Sequence, residues 1–216
     1  VLPEPAPVRA VREGDLLRVE SPIQHLTFDL SEGSLISWES GGREWICQSP
    51  ENRGLNPFGR PVRGFLTNLH RLGLSNDMYL NEEWEGKLLL HRLWHNIRFA
   101  GAEVLPDRVR VEVRETLAPH KLEAVCETAL VYEVFADRIE LTASVRSDRR
   151  DLPFLPRFGV CAELCPELTQ VEYFGFGPRE NESDFVEGVR KGLYACRTAE
   201  LLPAYAKPQE GGMRSG

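Results

Sequence analysis

The run Arg108-Val-Arg-Val-Glu-Val-Arg114 alternates charged and apolar residues without a break. Successive side chains of a β-strand point to opposite faces, so a period of two makes one row of valines for a dry face and one row of charges for a wet one. A helix would scatter the same valines around its circumference. The run therefore demands a sheet covered on one side. Shorter runs of the same kind recur at 15–20, 26–30, 35–38, 129–135, 138–145, 158–164 and 170–174. Ser31-Glu-Gly-Ser34 and Ser40-Gly-Gly42 separate the early ones, and Ala136-Asp137 predicts a tight hairpin between two later ones. Short strands at this spacing predict an antiparallel all-β fold.

Other stretches break the pattern. Residues 49–77, rich in Asn, Gly, Pro and Arg, read as one long irregular excursion, the kind of loop that more often serves function or an interface than nothing. Asn81-Glu-Glu-Trp-Glu85 through Leu90 predicts one short helix with Asn81 as its N-cap and acidic residues in its first turn. From Gly175 onward the chain reads as loop-rich. The Pro-rich opening, Val1-Leu-Pro-Glu-Pro-Ala-Pro7, reads as part of a linker over 1–14, followed by one domain over 15–216. All-β sandwiches of that length fold as one unit.

The net charge of −7 opposes a broad nucleic-acid footprint, which needs clustered Lys and Arg. No apolar run approaches the ~18–20 residues that span a bilayer. Five widely spaced cysteines, an odd number, read as reduced thiols of a cytoplasmic protein rather than a disulfide framework.

Several constellations invite a chemical reading and have a plainer one. Glu82-Glu83 reads as a solvated first helical turn. His91 and His95 are four apart but lack the Glu of H-E-x-x-H, so no metal site is expected. Cys161 and Cys165 read as core residues on one face of a strand, and most of Trp38, Trp45, Trp84 and Trp94 likewise as core. Gly175-Phe-Gly-Pro-Arg-Glu-Asn181 lacks G-x-x-x-x-G-K-[ST] and reads as a tight turn with Glu180 and Asn181 on backbone amides, its glycines serving positive φ or close packing.

Three motifs in one order carry a resemblance. Pro156-Arg-Phe-Gly159, then Val171-Glu-Tyr-Phe-Gly-Phe-Gly-Pro-Arg-Glu-Asn181, then Tyr205-Ala-Lys-Pro-Gln-Glu-Gly-Gly-Met-Arg214 resemble the L-P-R-x-G, W-x-G-x-G-P-x-E-N-Y-x-D-R and Y-x-x-P-Q-E-x-G-x-R of the C-terminal sandwich of family 2 β-galactosidases. Asn68-Leu-His-Arg-Leu-Gly-Leu-Ser-Asn-Asp77 resembles that family's N-F-W-R-A-P-T-D-N-D, and Phe28 through Leu35 its opening hairpin. Ser75 and Gly73 depart from the pattern, as do Glu182 and Phe185.

The resemblance implies a large antiparallel β-sandwich (a supersandwich) like galactose mutarotase, truncated at its C-terminus. It implies an accessory domain of an enzyme that removes terminal non-reducing β-D-galactose. The paired carboxylates of such a retaining enzyme, about 5–5.5 Å apart, would lie on a preceding (β/α)8 barrel and none of the catalytic residues here. The partners implied are that barrel, the galactoside and further copies in a homo-oligomer, with no nucleic acid and no membrane. Mg and Na would belong to the whole enzyme, with no cofactor in this segment. Support of the sugar pocket is expected from Arg71, Asn76, Asp77, Glu180, Asn181, Gln209 and Glu210. For Asn76 and Asp77 a purely local role, capping or closing a turn, stands equally. For Gln209-Glu210 the alternative is an internal anchor. A stand-alone aldose 1-epimerase or a carbohydrate-binding sandwich are the rival readings.

Overall fold

The computed structural model describes residues 8–46, 64–181, 186–201, 205–206 and 211–213. These form two compact units: Val1–His70 with Glu82–Cys165, and Arg71–Asn81 with Pro166–Gly216.

The first unit holds two large antiparallel sheets and a two-stranded one. One is a meander of β1 (Arg9–Glu13), β2 (Leu16–Glu20), β3 (Gln24–Asp29), β4 (Ser34–Ser40) and β5 (Arg43–Glu44). β1 lies inside the stretch read as a linker, so the sheet takes in residues from Arg9. β6 (Phe65–Asn68) pairs away from this meander, as described below. The other large sheet orders as β10-β9-β8-β7, from β7 (Trp94–Val104), β8 (Arg108–Ala118), β9 (Cys126–Phe135) and β10 (Ile139–Arg146). The alternation at 108–114 works as expected: Val109, Val111 and Val113 are buried and face the same way as Leu130, Tyr132 and Val134 of β9. All of these except Val113 meet Leu17, Val19, Leu26, Phe28 and Leu35 of the meander in one core. This is an all-β antiparallel sandwich. The β9–β10 hairpin turns where Ala136-Asp137 predicts it, with Phe135 N–H donating to Arg138 O at 2.9 Å.

The β3–β4 turn shows how closely this loop approaches the other sheet. Gly33 has φ +62°, and a Cβ there would lie 2.8 Å from Val113 Cγ1 and 2.9 Å from Ile97 Cδ1. Only glycine meets both demands.

Several expectations need correction. The excursion over 49–77 is not wholly irregular: β6 pairs with β11 (Gly159–Ala162). The stretch 47–63 lies outside the described residues. Instead of one helix over 81–90, a π-helical turn spans Glu82–Lys87, and a 3-10 turn spans Leu90–Arg92 after Leu89 at φ 50°. Asn81 is not its cap. Its side chain lies against Gly73, and its Oδ1 is buried without a partner among the described residues. Trp84 on this turn is buried, its Nε1 donating to Phe154 O at 3.1 Å; Trp38, Trp45 and Trp94 are half-buried. Cys161 and Cys165 are also half-buried rather than core, and Cys165 lies past the end of β11.

In the second unit, the stretch from Gly175 is not loop throughout. β12 (Gln170–Gly177) runs on through Gly175 and pairs with β13 (Arg190–Arg197). Tyr173 and Tyr194 stack across the ribbon at 5.5 Å. A Cβ on Gly177 would lie 2.5 Å from Tyr173 Oη, so close packing rather than positive φ explains that glycine. Among the described residues no helix is long and apolar enough to cross a membrane.

Candidate functional site

The segment Arg71–Asn81 is built around one carboxylate. Asp77 ends a 3-10 turn, Ser75–Asp77, and its Oδ2 accepts from Arg71 Nη1 at 2.6 Å and from Leu74 N–H at 2.7 Å. Its backbone N–H donates to Leu74 O at 3.0 Å, and its carbonyl accepts from Leu80 N–H at 2.8 Å. An Asp bonding back to a nearby amide is the usual way a short polar side chain fixes a turn. The ion pair is well covered, with side-chain exposures of 17% for Arg71 and 12% for Asp77. The Arg71 hydrogen bond, with Leu74 N–H and the Arg71 charge, outweighs burial and holds the Asp77 carboxyl below the usual range. Asp77 is thus a fixed anion and a poor proton donor. Asn76, beside it, points to solvent and makes no hydrogen bond among the described residues.

Around this pinned turn, Leu72, Met78 and Tyr79 are 50%, 66% and 86% exposed. These three large apolar side chains stand outside the core.

Glu180 and Asn181 lie in the same unit. Glu180 Oε2 accepts from Gly212 N–H at 2.7 Å, so this side chain does bond a backbone amide, though one 32 residues away. Asn181 is buried, and its own backbone N–H donates to Met213 O at 3.1 Å. Together they tie 180–181 to 212–213. Gln209 and Glu210 lie outside the described residues.

A second polar centre, in the first unit, is absent from the sequence reading. Glu115 is 4% exposed. Its Oε1 accepts from Thr67 Oγ1 at 2.7 Å and Thr128 Oγ1 at 2.9 Å, and its Oε2 meets His95 Nδ1 at 2.8 Å. Burial pushes this carboxyl up, but the His95 hydrogen bond and charge, with the two hydroxyls, outweigh burial and hold it down. The signal was available: 109, 111, 113, 115 and 117 share the dry face of β8, so Glu115 is a charge where a valine belongs. Its partners sit on β6, β7 and β9, so the carboxylate joins the β6–β11 pair to the large sheet. Among the described residues no three His, Cys, Asp or Glu side chains converge to hold a metal ion, and no residue here is assigned to Mg or Na.

Comparison with known proteins gives these features a context. A family described as beta galactosidase small chain matches residues 20–216. A beta-galactosidase of Vibrio cholerae is 28% identical over 219 aligned positions, covering 94% of this chain and 19% of that protein. One from Lactobacillus delbrueckii subsp. bulgaricus is 29% identical, covering 88% and 17%, and one from an Arthrobacter species is 32% identical over 58% and 12%. The chain spans about a fifth of the length of these relatives or less. With nearly its whole length matched, this chain belongs to the beta galactosidase small chain family.

Proposed function

We propose that this chain is the accessory β-sandwich of a β-galactosidase that hydrolyses terminal non-reducing β-D-galactose residues. In this reading the nucleophile and acid lie on a catalytic barrel elsewhere in the polypeptide. The present chain braces that barrel and shapes one wall of the sugar pocket through 71–81. The observation that carries the reading is the match over 20–216 to a small-chain family whose relatives are about five times longer.

Four carboxylates of this chain do not fit the part of a glycosidase acid. An acid catalyst of a glycosidase needs a carboxyl held protonated near neutral pH. Glu44, Asp77, Glu115 and Asp151 are each held below their ordinary value. Each is fixed by donors, as anchors are. Any Mg, Na or homo-oligomeric contact belongs in this reading to the whole enzyme. A cytoplasmic setting suits the free thiols of Cys126, Cys161 and Cys196.

The test is to incubate the purified chain with a chromogenic β-galactoside. No turnover above a buffer blank is expected. Activity that copurifies with the chain through successive columns would overturn the accessory reading, and epimerase activity on free galactose would favour a mutarotase-like enzyme instead.

A further inference from the structure

His70 is the last residue of the first unit before the chain enters 71–81, and the π-helical turn Glu82–Lys87 is the first element after it. His70 Nε2 and Glu85 Oε1 are 3.0 Å apart, so the two ends of that segment are joined at its base. Behind His70 stands His91, on the 3-10 turn Leu90–Arg92, with ring centroids 5.7 Å apart. His91 Nδ1 is buried and has no hydrogen-bond partner among the described residues. Such a place suits a neutral imidazole and penalises a charged one. The titratable and charged groups that face His91 are Arg92 on its own turn, Glu85 on the π-helical turn and His70, two residues past the end of β6. Glu85 is the one carboxylate of the three, and it is already engaged by His70.

We propose that His70, Glu85 and His91 form a protonation-sensitive staple at the base of segment 71–81, closed while His91 is neutral and opened when a proton on His91 draws Glu85 away from His70. Burial first, then the Arg92 and His70 charges, moves the His91 pKa down despite the opposing pull of Glu85. The closed form therefore binds the proton less readily than an open one. It is favoured at neutral pH and loses ground as pH falls below the ordinary histidine value of about 6.5. His70 falls where the quoted N-F-W-R pattern has Trp. Its consequence for activity rests on the reading that 71–81 shapes the sugar pocket; its existence does not.

Hydrogen exchange on the full-length protein, followed through peptides covering 66–92 from about pH 7.5 to about pH 5 and corrected for intrinsic rates, tests it. Protection in 82–92 should fall about threefold or more in the wild type. His91→Phe, which keeps a ring without a titratable nitrogen, should keep its protection at low pH, and His91→Gln should do the same if the Phe variant folds poorly. Glu85→Gln should lower protection at both ends of the range. A flat wild-type profile, or an equal fall in both His91 variants, overturns the staple whatever the activity does. Exchange that follows His91 while kcat/KM of the full enzyme ignores it leaves the staple standing and removes 71–81 from the pocket.

Discussion

Two carboxylates, Asp77 and Glu115, are both held ionised by hydrogen-bond donors, yet they are assembled in opposite ways. The donors to Asp77, Arg71 and Leu74, lie within six residues of it. The partners of Glu115 lie 13, 20 and 48 residues away, on three other strands. The Asp77 turn is a local device, complete once a few residues are in place. The Glu115 site exists only when the sandwich is assembled, and in return it holds strands of that sandwich together. A local device can be retuned without unfolding its host, so the one that holds Leu72, Met78 and Tyr79 in the open is the better candidate for function. The network at Glu115 is the better candidate for stability.

The largest effect that would break this contrast is on folding. Glu115→Ala leaves two buried hydroxyls and His95 without their acceptor and should cost about 3 kcal/mol in denaturant unfolding. A cost under about 1 kcal/mol would mean that the network is not a keystone. The same residue sharpens the contrast through pH. Its folded pKa lies below its ordinary value, so its contribution is present above the unfolded pKa of about 4.3 and is lost as pH falls through the lower, folded one. The variant should therefore show a shallower loss of stability in acid than the wild type. An equal slope would place the acid sensitivity elsewhere.

Asp77 should behave the other way. In the full-length enzyme, Asp77→Ala or Arg71→Ala should lower kcat/KM about 10-fold, or ~1.4 kcal/mol of transition-state stabilisation, while unfolding shifts far less than for Glu115→Ala. Loss of activity as complete as removal of a nucleophile would make the turn part of the chemistry. Wild-type kinetics would make it a surface loop. A stability loss equal to that of Glu115→Ala would erase the distinction between the two sites.

The same contrast explains what was legible in the sequence. Period-two patterning exposed β8 and β9 because each has one fully buried face to mark it, and β10 because its apolar row, Ile139, Leu141 and Ala143, is half-buried against the core; Asp77 in its turn was legible because its donors lie within six residues. β6 and β13 escaped. β6 has four residues, and its partner Gly159–Ala162 lies some ninety positions on, beyond any local signal. In β13 no residue from Arg190 to Arg197 is fully buried. Its alternation separates half-buried from exposed, and only pairing with β12 makes it a strand. Glu115 was visible as a misplaced charge on a dry face, but Thr67, Thr128 and His95 could be assigned to it only after register was known. The π-helical turn and the left-handed Leu89 answer to the burial of Trp84, Leu88 and Leu90, and packing of that kind leaves no local mark.

The smallest predicted effect tests whether the Glu115 network is self-contained. Tyr132 lies on β9, its ring edge-on to Phe28 at 5.1 Å and fully buried. Its hydroxyl is buried without a partner among the described residues. Burial pushes the phenol pKa up, and the charge of Glu115 adds to this, so the hydroxyl sits within the electrostatic reach of the network while standing outside its hydrogen bonds. A buried polar group left unpaired costs free energy that its removal recovers. Tyr132→Phe keeps the ring, its edge contact and nearly all its volume, and deletes only the orphan oxygen. It should therefore stabilise the protein by about 1 kcal/mol in denaturant unfolding. A loss of similar size would show that the hydroxyl has a partner in solution. In that case the network extends past Thr67, Thr128 and His95 into the aromatic core, and the cost of Glu115→Ala would have to be shared with Tyr132. Measuring the double variant Glu115→Ala/Tyr132→Phe decides this, because additive effects within about 0.5 kcal/mol mean two independent sites.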